Sequence, residues 1–302
     1  MVLLYIPPVQ NLLRREVTAY ASKATGMQIQ VERIDLRFPL NLLVRGVEVI
    51  QQPDTLLSLE SLNVRVQAWP LLKGKVEVDE VTLSQVAVNS ANLIEGMQIK
   101  GVLGRFFLQS HGVDLSNETA VVNRTELSDT HIQLLMTDTT TTPKDTTASA
   151  PVNWKVNLHQ LKLKNVSFGM KLPADSMKMA AYIGEATIDD AKADLKNQFY
   201  GLKQFLLSGA SASYDTGEAQ PSEGFDASHM AVRNIRIGLD SLLYEGRNMN
   251  AVIREITMEE RSGLSITSLT GRLFSNDSII RIPELKLQTP HSEIDLSAQT
   301  YW

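Results

Sequence analysis

The stretch VEVDEVTLSQVAV, residues 76–88, carries the pattern that most limits how this chain can fold. Its apolar residues come in pairs two apart: Val76/Val78, Val81/Leu83 and Val86/Val88. A spacing of two is strand spacing, because successive side chains point to opposite faces. From one pair to the next the step is three. In a regular strand that step carries the following side chain to the other face.

The pattern recurs. VNLHQLKLKNVSF, residues 156–168, places Val156, Leu158, Leu161, Leu163, Val166 and Phe168 in the same six positions. A shorter form, apolar-x-apolar-x-x-apolar-x-apolar, runs through Ile29, Val31, Ile34 and Leu36 and through Leu57, Leu59, Leu62 and Val64. It returns at Met230, Val232, Ile235 and Ile237, at Ala251, Ile253, Ile256 and Met258, and at Ile280, Ile282, Leu285 and Leu287. Repetition over the whole length is the strongest organisational signal in the chain.

A β-bulge at each x-x pair absorbs the skip, since two residues then oppose one across the ladder. The pairs are Glu32-Arg33, Glu60-Ser61, Asp79-Glu80, His159-Gln160, Arg233-Asn234, Arg254-Glu255 and Pro283-Glu284. A two-residue hairpin at these places would want Asn-Gly or Asp-Gly, and none of the pairs contains glycine. The expected result is a set of long, bulged strands with one apolar and one polar face. The fold class is mainly β: an elongated, curled antiparallel sheet forming a β-groove.

Such a sheet must cover its apolar face or curl around it, and repeated bulges favour curling. The expected groove lining is Ile29, Val31, Ile34, Leu36, Leu62, Val64, Val76, Val78, Val81 and Leu83 in the first part of the chain. It continues with Val156, Leu158, Leu161, Leu163, Ile235, Ile237, Ile253, Ile256, Leu285 and Leu287. A wall of Val, Leu and Ile with few convergent polar groups suits acyl chains better than a compact polar substrate. The same residues are also compatible with an ordinary sealed core.

Composition supports a folded β chain and excludes some functions. Of 302 residues 43% are hydrophobic and only 6% aromatic, so the apolar face is mostly aliphatic. The net charge of −5 argues against a nucleic-acid-binding module, which needs a positive face. With no cysteine there are no disulfides, thiolate metal sites or thiol nucleophiles. His111, His131, His159, His229 and His291 show no metal-ligand spacing, and no hydrolase or phosphate-loop motif is present. Asp189-Asp190 and Glu259-Glu260 are adjacent carboxylates, which point to opposite faces of a strand and read as solvated charges. Neither an enzyme nor a cofactor is expected.

Residues 1–26 form one unit and 27–302 a second, repetitive one. The start, MVLLYIPPVQ, puts six apolar residues before Pro7-Pro8, far short of the roughly 20 of a bilayer span. It reads either as a buried strand or staple, or as the end of a truncated membrane helix. Val9 to Gly26 reads as an amphipathic helix, with prolines at its first turn and glycine past its end. Val9, Leu12, Leu13, Val17, Tyr20 and Ala24 make its apolar stripe. Residues 196–208 suit helix or strand. TDTTTTPKDTTASAP, 137–151, is too polar to stay ordered, and 215–224 is a second polar loop. The final SAQTYW stops in strand-like alternation, as a piece of a longer chain would.

Taken in order, several features resemble the N-terminal region of the AsmA-like, TamB-type proteins of Gram-negative bacteria, with the Bacteroidetes branch nearest. They are Pro-Pro-Val-Gln at 7–10; Ile34, Leu36 and Phe38; Leu42-Leu43; Gly46-Val47-Glu48-Val49; Asp54-Thr55-Leu56-Leu57; Leu62 to Val66; and Trp69-Pro70-Leu71-Leu72-Lys73-Gly74. The resemblance covers about the first 90 residues. It implies a periplasmic β-groove anchored in the inner membrane through a missing or truncated N-terminal helix. Its implied work is passive transport of phospholipid acyl chains between the two membranes in outer-membrane biogenesis. The alternative it implies is a scaffold for outer-membrane protein assembly or secretion by strand addition. The implied partners are phospholipid acyl chains and an outer-membrane barrel protein of the BamA type. The chain departs from the family in lacking most of the membrane helix and any visible C-terminal family domain.

Overall fold

The computed structural model describes residues 7–67, 69, 77–91, 93–114, 117–137, 153–217 and 219–301. Helix α1 (Pro7–Thr25) is followed by β1 (Gln28–Arg37), β2 (Asn41–Gln51), β3 (Asp54–Val66), β4 (Val78–Asn89) and β5 (Met97–Asp114). Then come β6 (Thr119–Met136), β7 (Lys155–Leu172), β8 (Met177–Asp194), β9 (Phe199–Leu202) and β10 (Gln204–Asp215). The chain closes with β11 (His229–Glu245), β12 (Asn248–Glu260), β13 (Ser265–Ser275), β14 (Ile279–Gln288) and β15 (Glu293–Tyr301).

All fifteen strands join one sheet in chain order, with β9 and β10 lying end to end in one lane between β8 and β11. The mainly β architecture read from the repeat is thus the observed one, and 196–208 resolves into strand. The expected all-antiparallel pairing needs one correction: β6 and β7 are parallel. A parallel step requires a long connection back to the same end, and the run from 137 to 154 provides the length. The apolar start at 1–6 and all but the first residue of the polar stretch 137–151 lie outside the described residues.

The sheet is a single layer. Apart from α1 against β1, every substantial contact between elements is between neighbours in the sheet. The chain exposes 19409 Å², where a compact protein of its mass exposes about 12,700 Å². Among the described residues no large side chain is fully buried, and Ile34 and Leu56 are the only buried ones larger than alanine in the apolar set. A sealed sandwich would bury many.

Helix α1 runs along the outer edge of β1. Gln10 Nε2 donates to the Leu36 carbonyl at 3.0 Å, Arg14 Nη1 to that of Glu32 at 2.8 Å, and Ser22 Oγ accepts from Ile29 N at 3.0 Å. These bonds satisfy backbone groups that an edge strand otherwise leaves open. The half-buried stripe of the helix is Gln10, Arg14, Thr18 and Ala21-Ser22, while Leu12 and Tyr20 of the expected apolar stripe stand exposed. A backbone edge calls for donors and acceptors, and Gln10, Arg14 and Ser22 supply them.

Candidate functional site: an unbroken aliphatic face

Cross-strand partners share a face, and so do residues two apart in a regular strand. Followed from ladder to ladder, one row crosses the entire sheet. It starts Ile34, Val44, Leu62, Leu83, Phe106, Leu127 and Leu163. It continues Ala186, Leu207, Ile237, Ile256, Leu269, Leu287 and Ile294. Every member is apolar. The row beside it begins Leu36, Leu42, Val64, Val81, Leu108, Thr125 and Leu161. It ends Ile188, Phe205, Leu239, Ile253, Gly271, Leu285 and Leu296. Only Thr125 and Gly271 interrupt its large apolar side chains. At about 4.8 Å per strand, the two rows make a track about 60 Å long.

The three-residue skips do not break this face. On β4, Val81 and Val78 pair with Val64 and Val66, two apart on β3, and Asp79 is the extra residue of a bulge. Leu158 and Leu161 pair through Val122 and Thr125 to Ser110 and Leu108, again two apart. Ile253 and Ile256 face Gly271 and Leu269. Register shifts mark the expected bulges at Asp79-Glu80, Arg233-Asn234, Arg254-Glu255 and Pro283-Glu284. They are absent at Glu32-Arg33, Glu60-Ser61 and His159-Gln160, where the ladders run residue for residue.

A different device works there. Gly46, Gln85, Asp129, Asn165, Gly209 and Asn234 have φ between +50° and +62° in mid-strand, and the ladders set them in one transverse line. The register sets Glu32 and Glu60 on either side of Gly46. The line forms a crease. Its face relationship is fixed on β11, where Ile235 and Ile237, two apart, pair with Ala210 and Leu207 on either side of the crease. Ala212 then leads through Ala181, Phe168, Ile132, Gly101, Val88, Leu57 and Val49 to Ile29. The apolar residues beyond the crease therefore share the face of the track. At His159-Gln160 the left-handed residue is Asp190, φ +50°. His159 Nδ1 lies 3.2 Å from Asp190 Oδ1, and this bond, with Lys203 nearby, holds the Asp190 carboxyl below its ordinary range.

All the residues expected to line the groove that lie among the described ones fall on this single face; Val76 lies outside them. The repeat did not reveal Val44, Leu42, Phe106, Leu108, Leu127, Leu207 and Phe205, nor Leu239, Leu269, Ile294 and Leu296, which also belong to the rows. Ala186-x-Ile188-Asp189-Asp190-Ala191-x-Ala193 follows the repeat in full, with alanine in apolar places, and relaxing the pattern to alanine finds it. Its adjacent carboxylates do serve structure: Asp189 accepts from Gln160 Nε2 at 3.1 Å.

The sheet carries a hollow on each face. On the aliphatic face a hollow of about 240 Å³ lies over Val156, Leu158, Ile188, Ala191, Leu202 and Leu242. Of the expected lining only Val156 and Leu158 reach it. A larger cavity, about 1110 Å³, crosses β5 to β12. Most of its lining, including the rows His131–Ser167–Tyr182–Ser211 and Gln133–Gly169–Ala180–Ser213–Ala231, belongs to the opposite face, and the alternating row Phe168–Ala181–Ala212–Val232 also borders it. Along the track Ile34 and Ala186 are buried, most other side chains are half-buried, and Ile294 and Leu296 at its end are 52% and 40% exposed. No group of His, Asp and Glu able to hold a metal occurs among the described residues. None of the described helices is long and apolar enough to cross a membrane.

No family model matches the chain, and no curated protein matches it.

Proposed function

We propose that this chain is a groove segment of a TamB/AsmA-like envelope protein, and that it passively carries phospholipid acyl chains along its aliphatic face. The observation that carries this reading is the pair of cross-strand rows from Ile34 to Ile294 and from Leu36 to Leu296, with no second layer packed over them among the described residues. Burying a methylene is worth roughly 0.8 kcal/mol, so a tail lying along the rows is held without any polar contact. Near-uniform Val, Leu and Ile along the track gives no single position a much deeper well than the next, which is what movement along it requires. Head groups stay at the wet margin. In this reading the work is done in the periplasm of a Gram-negative cell, between inner and outer membrane. The order of residues 7–74 that resembles the family supports that placement.

Mass spectrometry of the protein purified without detergent tests the proposal. Acyl lipid recovered in stoichiometric amount is the expected result, and protein that is consistently free of lipid, and stays so after incubation with phospholipid vesicles, overturns it.

A second reading has its own observation. Every residue of β15 is exposed, and its outer edge has no partner among the described residues. A client strand adding there would support the scaffold function. Hydrogen exchange on β15 in the presence of an unfolded outer-membrane protein separates the two: protection confined to β15 favours the scaffold.

A further inference from the structure

The 1110 Å³ cavity on the polar face is built differently from the track behind it. The chain is acidic, with a net charge of −5, yet this cavity is basic. Its walls carry Lys100, Lys171, Lys178, Arg233 and Arg261 against Asp215 and Glu260, five cations to two anions. One of those anions is already engaged: Glu260 accepts from the backbone N–H of Ser262 at 2.6 Å and of Ala231 at 3.3 Å. Of the cations, Arg233 pairs with Glu259 at 3.0 Å. Lys100, Lys171, Lys178 and Arg261 form no ion pair among the described residues.

Lys171 and Lys178 stand directly opposite each other across β7 and β8. Like charges in that position repel. Asp215 stands across from Lys178 on the other side, but makes no ion pair with it. An anion seated between the two lysines removes the repulsion and makes charge-assisted hydrogen bonds.

The floor next to this basic end is made of small residues. Gly169, Ala180, Ser213 and Ala231 form one cross-strand row of small residues. Beside it Tyr182, 40% exposed, lies between Ser167 and Ser211. His131 Nδ1 meets Ser167 Oγ at 2.5 Å, and Gln133 Nε2 meets His131 Nε2 at 2.8 Å. An exposed aromatic ring beside hydroxyl, amide and imidazole groups matches a ring that is apolar on its faces and hydroxylated at its rim.

We propose that this cavity binds a phosphorylated polyol ring: the ring lies over Tyr182 among Ser167, Ser211 and Gln133, and the phosphate sits between Lys171 and Lys178. The ligand is either a soluble sugar phosphate or the same chemistry presented as a lipid headgroup. The site lies on the face opposite the aliphatic rows, so it stands whether or not those rows carry acyl chains.

Calorimetric titration of the whole chain tests it, with glucose 6-phosphate, inorganic phosphate and glucose as soluble probes. Flotation with phosphatidylcholine vesicles containing phosphatidylinositol supplies the lipid-borne form. The expected result is saturable binding of glucose 6-phosphate or of the phosphatidylinositol vesicles. The Lys171→Gln/Lys178→Gln double variant weakens it at least tenfold. Tyr182→Ala weakens binding of the polyol phosphate and leaves inorganic phosphate unchanged. Saturation by glucose 6-phosphate with no flotation identifies a soluble ligand, and flotation alone a headgroup. Both lysines are exposed, so unchanged thermal unfolding of the double variant is expected and is measured alongside. Lack of saturable binding to every probe overturns the proposal, as does binding unchanged in the double variant, or inorganic phosphate binding as tightly as the sugar phosphate.

Discussion

A β-carbon at Gly104 would fall 2.7 Å from the Cβ of Asp129 on the next strand and 2.9 Å from its carbonyl oxygen. Asp129 holds φ +53°, and this left-handed turn brings its backbone against β5. Gly184 is in the same position beside Gly209, whose carbonyl oxygen lies 2.9 Å from the place of a Cβ. The crease thus depends on a left-handed residue on one strand and a missing side chain on its neighbour. Gly104→Ala is expected to lower unfolding stability by about 1–3 kcal/mol, as overpacking does. Urea titration followed by circular dichroism checks this; an unchanged midpoint would show that the crease yields freely.

The left-handed residues make the complementary prediction. Asn165 has φ +53°, and its Nδ2 donates to Asp129 Oδ1 at 2.8 Å. Non-glycine residues are disfavoured there by about 1–2 kcal/mol, and asparagine is among the most tolerant. Asn165→Val is expected to destabilise by about that amount. Asn165→Gly stays within about 0.5 kcal/mol, because relief of the backbone offsets loss of one exposed hydrogen bond. Equal losses in the two variants would mean that the side chain matters and the backbone does not.

On the track, Val81→Asp and Leu161→Asp each place a carboxylate in the second row of the aliphatic face, three strands apart. Both positions are half-buried, so a loss of about 1–3 kcal/mol is expected, together with loss of copurifying lipid. The control is a polar-face position, Lys162→Asp. Lipid recovery at the normal level from folded Leu161→Asp protein would remove these rows from the carrier surface.

The 216–228 loop is clasped by Asp226, which accepts from Ser222 N at 3.0 Å and Ser228 N at 2.9 Å and meets His229 Nδ1 at 3.0 Å. These bonds, the backbone ones foremost, hold its carboxyl well below the usual carboxylate range. A depressed folded-state pKa stabilises above the unfolded value and loses that contribution as pH falls through the folded one. Asp226→Asn is therefore expected to unfold at lower urea than the parent at pH 7. The gap narrows as pH falls below about 4, and urea melts at pH 7 and pH 3 measure both differences.

Much of this molecule is legible in its sequence, because a period of two and a recurring skip report directly on which side chains share a face. Val78, Val81 and Leu83 fall where the pattern puts them. The means of absorbing the skip was half legible. Pro283-Glu284 marks a bulge by its own chemistry, whereas Glu32-Arg33 is resolved by Gly46, a residue of the neighbouring strand, and no local reading of 32–33 contains it. The polar contacts of α1 were hidden for a related reason: amphipathicity ranks surfaces by greasiness, and Gln10, Arg14 and Ser22 meet backbone groups of β1. The basic cavity was hidden as well, since Lys100, Lys171, Lys178 and Arg261 come to line one cavity only once β5 to β12 are laid side by side.

The single parallel step between β6 and β7 reverses the direction of every lane after it. As a result β1 and β15, the two outermost strands, run the same way, and the polypeptide enters at one corner of the sheet and leaves at the diagonally opposite one. Tension applied between those corners would load the ladders in shear, many bonds at once. With the two ends at the same side it would peel strands away one at a time.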